Sequence, residues 1–270
     1  MRKLVLPIVL VSALAATMAA GALPPRRPPT LGIAASPTLL YMQGAGRDRI
    51  QVTNIAKTAV TVTVGTGNYA INGTGHVRVD PKVAPNRAAK AWLTVAPRRF
   101  RLAGGGSTYV SIAAHPPRRA EPGDHNALVY LTTTAKKGEV GVQTRLGVGV
   151  LVRMPGQIQR RLVLRKASVV HKAKARYVRV VVGNSGNINE RVAKGRLTVT
   201  LMRGSQTVKT LHGSFFELLP KMRVRAAIRY RGKLHGRFKA LVRLRPESPS
   251  NSGPRAPLLP PLERTFTVRL

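Results

Sequence analysis

The residues best placed to do chemistry in this chain are arginines. From Arg223 to Arg245 the odd positions hold Arg223, Arg225, Arg229, Arg231, Arg237, Lys239, Arg243 and Arg245, and the even positions hold Val224, Ile228, Tyr230, Phe238, Val242 and Leu244. Successive side chains along a strand point to opposite faces, so this spacing predicts two strands, each apolar on one face and cationic on the other. A turn near Gly232–Gly236 would join them in one hairpin with the two cationic faces side by side. Like charges directly opposite one another destabilise a sheet, so a face of this kind fits an anionic partner that neutralises it. It also fits the solvated outer face of a sandwich whose arginine content reflects base composition. These eight residues form the candidate polyanion-binding set.

Other chemistry is poorly provided for. The chain carries 46 Lys and Arg against 9 Asp and Glu, with six histidines and no cysteine. General acid–base and nucleophilic sites need carboxylates, histidines or nucleophiles with tuned pKa values. Glu121 and Asp124 flank Pro122-Gly123, a turn in which Asp commonly caps its own backbone. His76, His115, His125, His171, His212 and His235 show no metal-ligand spacing, and no serine sits in a nucleophile elbow. Gly104-Gly105-Gly106 lacks a following Gly-Lys-Ser/Thr and reads as a hairpin turn. The expectation is a protein that is not an enzyme, with no cofactor and no metal. Without cysteine, disulfides, thiolate sites and lipidation at a lipobox are excluded. No zinc-finger, RNP-like or helix-turn-helix pattern is present. Tyr230 and Phe238 sit in the apolar register rather than where bases could stack, so no specific nucleic-acid partner is expected.

The amino terminus decides how the formal charge of +37 is read. Arg2 and Lys3 precede an apolar stretch from Leu4 to Ala20, and Ala20-Gly21-Ala22 forms a small-x-small box. That order predicts a signal peptide over residues 1–22, with a retained anchor as the other reading. The stretch falls short of the ~20 residues of a spanning helix. Beyond the membrane such charge meets anionic cell-wall polymer or peptidoglycan, an anionic membrane surface, or an acidic surface protein. Arginine outnumbers lysine 32 to 14, a bias expected of a GC-rich bacterial genome. Asn72-Gly73-Thr74 matches a glycosylation acceptor and reads here as an ordinary turn.

Positioning falls to strands. Residues 23–29 form a Pro- and Arg-rich spacer. From residue 30 the chain is a succession of short β-branched runs at 49–53, 59–64, 77–80, 91–95, 108–113, 127–132 and 140–152. They are broken by Gly65-Thr66-Gly67-Asn68, the Gly104–Gly106 turn and Pro122-Gly123-Asp124. After Pro155-Gly156-Gln157 the pattern restarts at 162–164, 177–182, 196–202, 207–211, 223–230 and 238–244. A Pro- and Ser-rich loop follows at 246–261, then a terminal strand at 264–270. No window of helical length keeps a 3.6-residue apolar period. The spacing predicts an all-β protein of two domains, 30–154 and 158–270, each a sandwich or barrel. Charge is uneven, with 19 Lys/Arg against 5 Asp/Glu in residues 1–150 and 27 against 4 in 151–270.

The order of features resembles the WxL-interacting proteins of bacterial surfaces. In the first domain the resemblance rests on Gln51-Val52-Thr53-Asn54 and the run to Val64, on Trp92, on Phe100-Arg101-Leu102, on the strand Tyr109–Ile112, and on Pro122-Gly123-Asp124-His125. In the second it rests on Val182-Gly183-Asn184-Ser185-Gly186, Leu218-Leu219-Pro220 and Gly236-Arg237-Phe238. It implies two immunoglobulin-like β-sandwiches, the first facing peptidoglycan and the second engaging another protein. That family usually ends in a membrane-spanning helix, and nothing after Leu244 is long or apolar enough to supply one. The first domain is also similar to that of PapD-like periplasmic chaperones, which pair two such sandwiches. They grip a subunit's terminal carboxylate with a cleft arginine and lysine. The strand Leu39-Leu40-Tyr41-Met42 lacks the basic residue that this would need.

The sequence therefore points to a secreted, non-enzymatic cell-surface or wall-associated binding protein. Its first sandwich would contact wall polymer or a protein through exposed strand edges, and its second would hold polyanions on the arginine face. The alternative is a PapD-like assembly chaperone or accessory subunit for a surface fibre.

Overall fold

A computed structural model describes residues 32–71, 77–79, 87–134, 144–172, 175–213, 216–247 and 259–270. The expected leader, the spacer, the Asn72-Gly73-Thr74 turn and residues 248–258 of the Pro/Ser-rich loop lie outside them. The chain is all-β, and among the described residues a 3-10 turn at Lys90–Trp92 leads into a strand. No described helix is long and apolar enough to cross a membrane.

The first sandwich faces a four-stranded sheet against a five-stranded one. The four-stranded sheet holds β1 (Ile33–Ser36), β3 (Gly46–Asn54), β9 (Ser107–Ala114) and β7 (Leu93–Ala96), in that order. The other runs β2 (Leu39–Gln43), β11 (Arg145–Met154), β10 (Gly123–Thr134), β4 (Val60–Gly67) and β8 (Arg99–Leu102). Alternation builds the core, because each strand turns one set of side chains inward. Ile50, Val52, Val62, Val110, Ile112, Val129, Leu131, Val148, Val150 and Val152 are all fully buried. Consecutive strands bridge the two sheets on both flanks, crossing at Pro37 between β1 and β2 and at Pro97 between β7 and β8. Gly65 and Gly67, expected in a turn, lie instead inside β4. The Tyr130 ring covers the backbone there, and a Cβ on Gly65 would overlap it. These glycines make room for an aromatic side chain. A small sheet of β5 (Tyr69–Ile71) and β6 (Val77–Val79) follows.

The second sandwich pairs β12 (Leu162–Lys172), β13 (Ala175–Asn184) and β18 (Arg223–Tyr230) in one sheet. Opposite runs β16 (Gln206–His212), β15 (Leu197–Arg203), β19 (Arg237–Leu244) and β20 (Leu262–Arg269). The short β14 (Glu190–Val192) and β17 (Phe216–Leu218) form a separate ribbon. Val178, Val180, Val182, Leu197, Val199, Leu201, Val242 and Leu244 are fully buried between the sheets. Arg160 and Glu190 form a bidentate pair at 2.8 and 2.7 Å, each with a side chain only 1% exposed.

The expected hairpin of residues 223–245 does not form. β18 and β19 belong to opposite sheets. Two amphipathic strands bury both apolar faces if those faces meet across the sandwich, and this sends the two cationic faces outward in opposite directions. The connection crosses between the sheets and is tied down: Arg176 donates to the carbonyls of Gly232 and Leu234, and the Leu234 N–H donates to the Tyr230 hydroxyl.

One device recurs in both sandwiches. Asn54 ends β3, where its side-chain amide donates to the carbonyls of Thr58 and Ala103 at 2.8 and 2.9 Å while its oxygen accepts the Ala56 N–H at 3.0 Å. Asn184 ends β13 and repeats this, donating to Ile188 and Leu218 at 2.8 and 3.0 Å and accepting the Gly186 N–H at 2.9 Å. Truncating either side chain removes bonds to buried backbone groups, at a cost of about 1–3 kcal/mol per group left unpaired. Asn184→Ala and Asn54→Ala should each lower unfolding free energy in urea by about 2 kcal/mol or more. Asn184→Asp, which accepts but cannot donate, should do no better than alanine, and losses under about 0.5 kcal/mol would contradict this role.

Candidate functional site

Where the sandwiches meet, one carboxylate organises both sides. Asp124, at the start of β10, is fully buried and receives Arg153 of β11 through two bonds, Nε at 2.6 Å and Nη2 at 2.8 Å. The cross-strand register Asp124↔Arg153 places the two side by side. Asp124 Oδ2 also accepts the Asn189 N–H at 2.7 Å, and the Asp124 N–H donates to the Asn187 carbonyl at 2.7 Å. Asn126 and Asn189 exchange amide bonds at 3.1 and 2.9 Å, and the Tyr69 hydroxyl donates to Asn126 at 3.2 Å. The Asn187 amide reaches the carbonyls of Pro122 and Gln157 at 3.2 and 2.8 Å. Asp124 was expected to cap its own turn; it sits in a strand and joins two domains instead. Gly123 is obligatory here, with φ of +104° and the Asn187 carbonyl where a Cβ would stand.

Electrostatics follow from this packing. Burial works to lower the Arg153 pKa, but the bonds and charge of Asp124 outweigh it and hold the guanidinium above its ordinary value. Burial pushes the Tyr69 phenol well above its ordinary range, with the charges of Glu217 and Asp124 adding to the effect. His125, next along β10, is 1% exposed and lies with its ring centroid 4.4 Å from that of Trp92. Its Nε2 faces the Glu121 carbonyl at 2.8 Å, so Nε2 carries the proton. Nδ1 is then an acceptor without a partner among the described residues. Desolvation lowers the His125 pKa, the nearby Arg87 cation adds to that effect, and the Glu121 contacts and Asp124 charge work against it.

Beside this junction opens a cleft of about 460 Å³ between the sandwiches. Leu39 and Thr38 from the β2 end, Tyr69, Val79, Leu128 and Tyr130, the glycines Gly147 and Gly149 of β11, Arg145 and Glu217 line it. Leu39 and Val79 are 43% and 48% exposed, two of the few large apolar side chains left in solvent among the described residues. β2 runs parallel to β11 and covers it only from Gly149 to Arg153. Residues Arg145–Val148 therefore present a strand edge that no described strand takes, and it leads into the cleft. Along β2, Leu40 and Met42 are buried in the core and Tyr41 lies beneath Arg153, whose Cζ is 5.3 Å from the ring centroid. No cation reaches the cleft from β2. Arg145, placed 5.2 Å over the Tyr130 ring, is the cation in its lining.

The eight residues of the candidate polyanion set are not brought together. Arg223, Arg225 and Arg229 project from β18, with Arg231 just beyond it, while Arg237, Lys239 and Arg243 project from β19 on the opposite sheet, with Arg245 beyond. Arg243 is paired with Glu263 at 2.7 Å on the surface, and Arg237 stands opposite Arg269.

No family model matches the chain, and no curated protein matches it. Solved structures do share its fold. The class 5 fimbriae chaperone CfaA superposes with a TM-score of 0.50 at 13% identity, over 87% of this chain and 98% of that one. A chain of the chaperone–tip adhesin complex of CFA/I fimbriae biogenesis gives 0.50 at 12% identity, and the YadV chaperone 0.50 at 9%, each over 87% of this chain and 98% of the other. At these identities the likeness establishes architecture: two immunoglobulin-like sandwiches in tandem, arranged as in fimbrial chaperones. It agrees with the PapD-like resemblance read from the sequence rather than the WxL-interacting one.

Removing one member of a buried ion pair costs about 3–5 kcal/mol, because the other charge is left uncompensated. Asp124→Ala should lower unfolding free energy by that amount, whereas Glu263→Ala, from an exposed pair, should cost under about 1 kcal/mol. Equal effects would refute the role assigned to Asp124. His125 has a folded pKa below its ordinary 6.5, so the unfolded chain binds the proton first as pH falls. Its contribution is complete above pH 6.5 and is lost as pH drops from there to the folded pKa. Denaturation profiles of His125→Phe should lose that slope, and an unchanged profile would contradict the assignment.

Proposed function

We propose that this protein is a non-enzymatic assembly chaperone or accessory subunit of PapD type that works beyond the cytoplasmic membrane. It holds an extended segment of a surface-protein partner against the Arg145–Val148 edge of β11. The observation that carries this reading is the unpaired half-strand running into an apolar-walled cleft, on a sandwich whose flanks are otherwise bridged by its own chain. Strand addition at such an edge supplies main-chain hydrogen bonds, and adjoining pockets select alternate side chains. The shared architecture with chaperones, one of them in a complex with a tip adhesin, supports a protein partner of that kind. The leader-like amino terminus supports export. With no cation on β2, a partner's terminal carboxylate would fall to Arg145, and the remaining lining favours apolar side chains.

Wall association, with its WxL-type kinship, is the second reading. The observation that favours it is the surface arginine on both outer faces of the second sandwich, which fits anionic wall polymer or an anionic membrane surface.

In the partner complex isolated from the native envelope, the amides of Arg145 and Gly147, which point to the open edge, should exchange hydrogen markedly more slowly than in the free protein, while those of β20 stay unchanged. Leu39→Asp combined with Val79→Asp changes only exposed positions and should leave stability within about 0.5 kcal/mol. It should also reduce recovery of the partner at least tenfold. Unaltered exchange on β11 together with undiminished recovery would contradict the proposal.

A further inference from the structure

The second sandwich has an open flank of its own. On one side β12 and β20 run together, and Arg264 of β20 donates to the Leu164 carbonyl at 2.9 Å. On the other, β16 and β18 are the outermost strands of their sheets and touch each other. β18 is paired with β13 along one edge, and no described strand pairs with its other edge. Half of its backbone N–H and C=O groups thus face outward, as on any edge strand.

Among the described residues, no carboxylate compensates the cations of the outer face beside that edge. The registers Lys166↔Val181↔Arg225, Ser168↔Arg179↔Ala227 and Val170↔Tyr177↔Arg229 describe a chequered surface in which cations alternate with small or apolar side chains. Arg223 extends the row opposite Gly183, over which the Arg165 side chain lies. The four carboxylates of residues 151–270 are elsewhere. Glu190 is buried with Arg160, Glu217 lines the cleft, Glu247 pairs with Arg191 at 3.7 Å and Glu263 with Arg243 at 2.7 Å. Along β18 the apolar row, Val224, Ile228 and Tyr230, is buried, while Arg223, Arg225 and Arg229 stay exposed.

We propose that β18 is a second strand-addition site, independent of the cleft, for an extended acidic segment of a protein partner that alternates carboxylates with apolar residues. Such a segment meets both demands of the edge. Its backbone pairs with the free N–H and C=O groups, and its carboxylates, repeating every second residue at about 6.6 Å, fall beside Arg223, Arg225 and Arg229. A polyphosphate or a lipid surface could answer the charge but not the backbone. A second copy of this chain would set arginine against arginine, which is unfavourable across strands.

The test uses the full chain and an eight-residue Glu-Val alternating peptide, followed by fluorescence anisotropy. Methylating the backbone nitrogens of the valines in one version, and of the glutamates in another, leaves every charge in place. A strand adding to an edge directs only one of these two sets towards its neighbour. One version should therefore bind at least tenfold more weakly and the other nearly normally. Arg225→Glu with Arg229→Glu should weaken the parent peptide at least tenfold, and Arg237→Glu with Lys239→Glu, on the opposite sheet, less than twofold. Equal binding of both methylated versions, absence of binding, or equal sensitivity to the two pairs of substitutions would overturn the proposal. Loss of the β18 site leaves the β11 exchange measurement unaffected, so the two readings fail separately.

Discussion

The buried contact between Asp124 and Arg153 is the constraint on which the arrangement of this molecule depends. A carboxylate with no solvent access must be neutralised and fully hydrogen-bonded. Here the guanidinium comes from the neighbouring strand, and a further bond comes from the backbone of the second sandwich at Asn189. The same side chain thereby completes the first domain and seats the second. Around it the asparagines Asn126, Asn187 and Asn189 pair across the junction, and a small apolar cluster of Tyr69, Ile71, Leu128 and Leu219 closes over it. The cleft is bounded by groups this junction holds in place, Tyr69 and Leu128 among them. Precise placement of a site on rigid elements with supporting bonds is what pre-organised binding requires.

Much of this was legible in the sequence, and the reasons are local. Period-2 alternation marked nearly every long strand, because one buried face leaves a direct imprint on residue type. The terminal strand after the Pro/Ser-rich loop was readable for the same reason, and it pairs with β19 along its whole length. What local pattern does not carry is which strand lies beside which. The segment 223–245 has the composition of a hairpin, yet the choice between one sheet and two is made by where apolar faces find partners. The Gly65–Gly67 stretch misled similarly: the residue that makes its glycines compatible with a strand is Tyr130, distant in sequence.

The junction was the least legible part. Asp124 lies in Pro122-Gly123-Asp124, whose turn chemistry is strong, and nothing adjacent announces Arg153 or Asn189 as partners. The one available signal was scarcity. In a chain with nine carboxylates against 46 cations, each acid near an apolar run is a candidate for a buried pair, and both Asp124 and Glu190 prove to be so. The expected arginine face dissolved into two outer faces because burial, stronger than surface charge repulsion, decided the topology. What remained was an edge strand whose arginines guard it against self-pairing, as charged edges do.

The proposed function turns on a partner protein occupying the open half of β11 beside the cleft. A photo-activated cross-linker at Leu146, introduced in the native host, tests it most directly, with the same probe at Thr200 on the outer face of β15 as comparison. One envelope protein should be joined to position 146 through a single continuous segment, and no such product should form from position 200. Cross-linking of that protein at both positions alike, or at 200 alone, would contradict it.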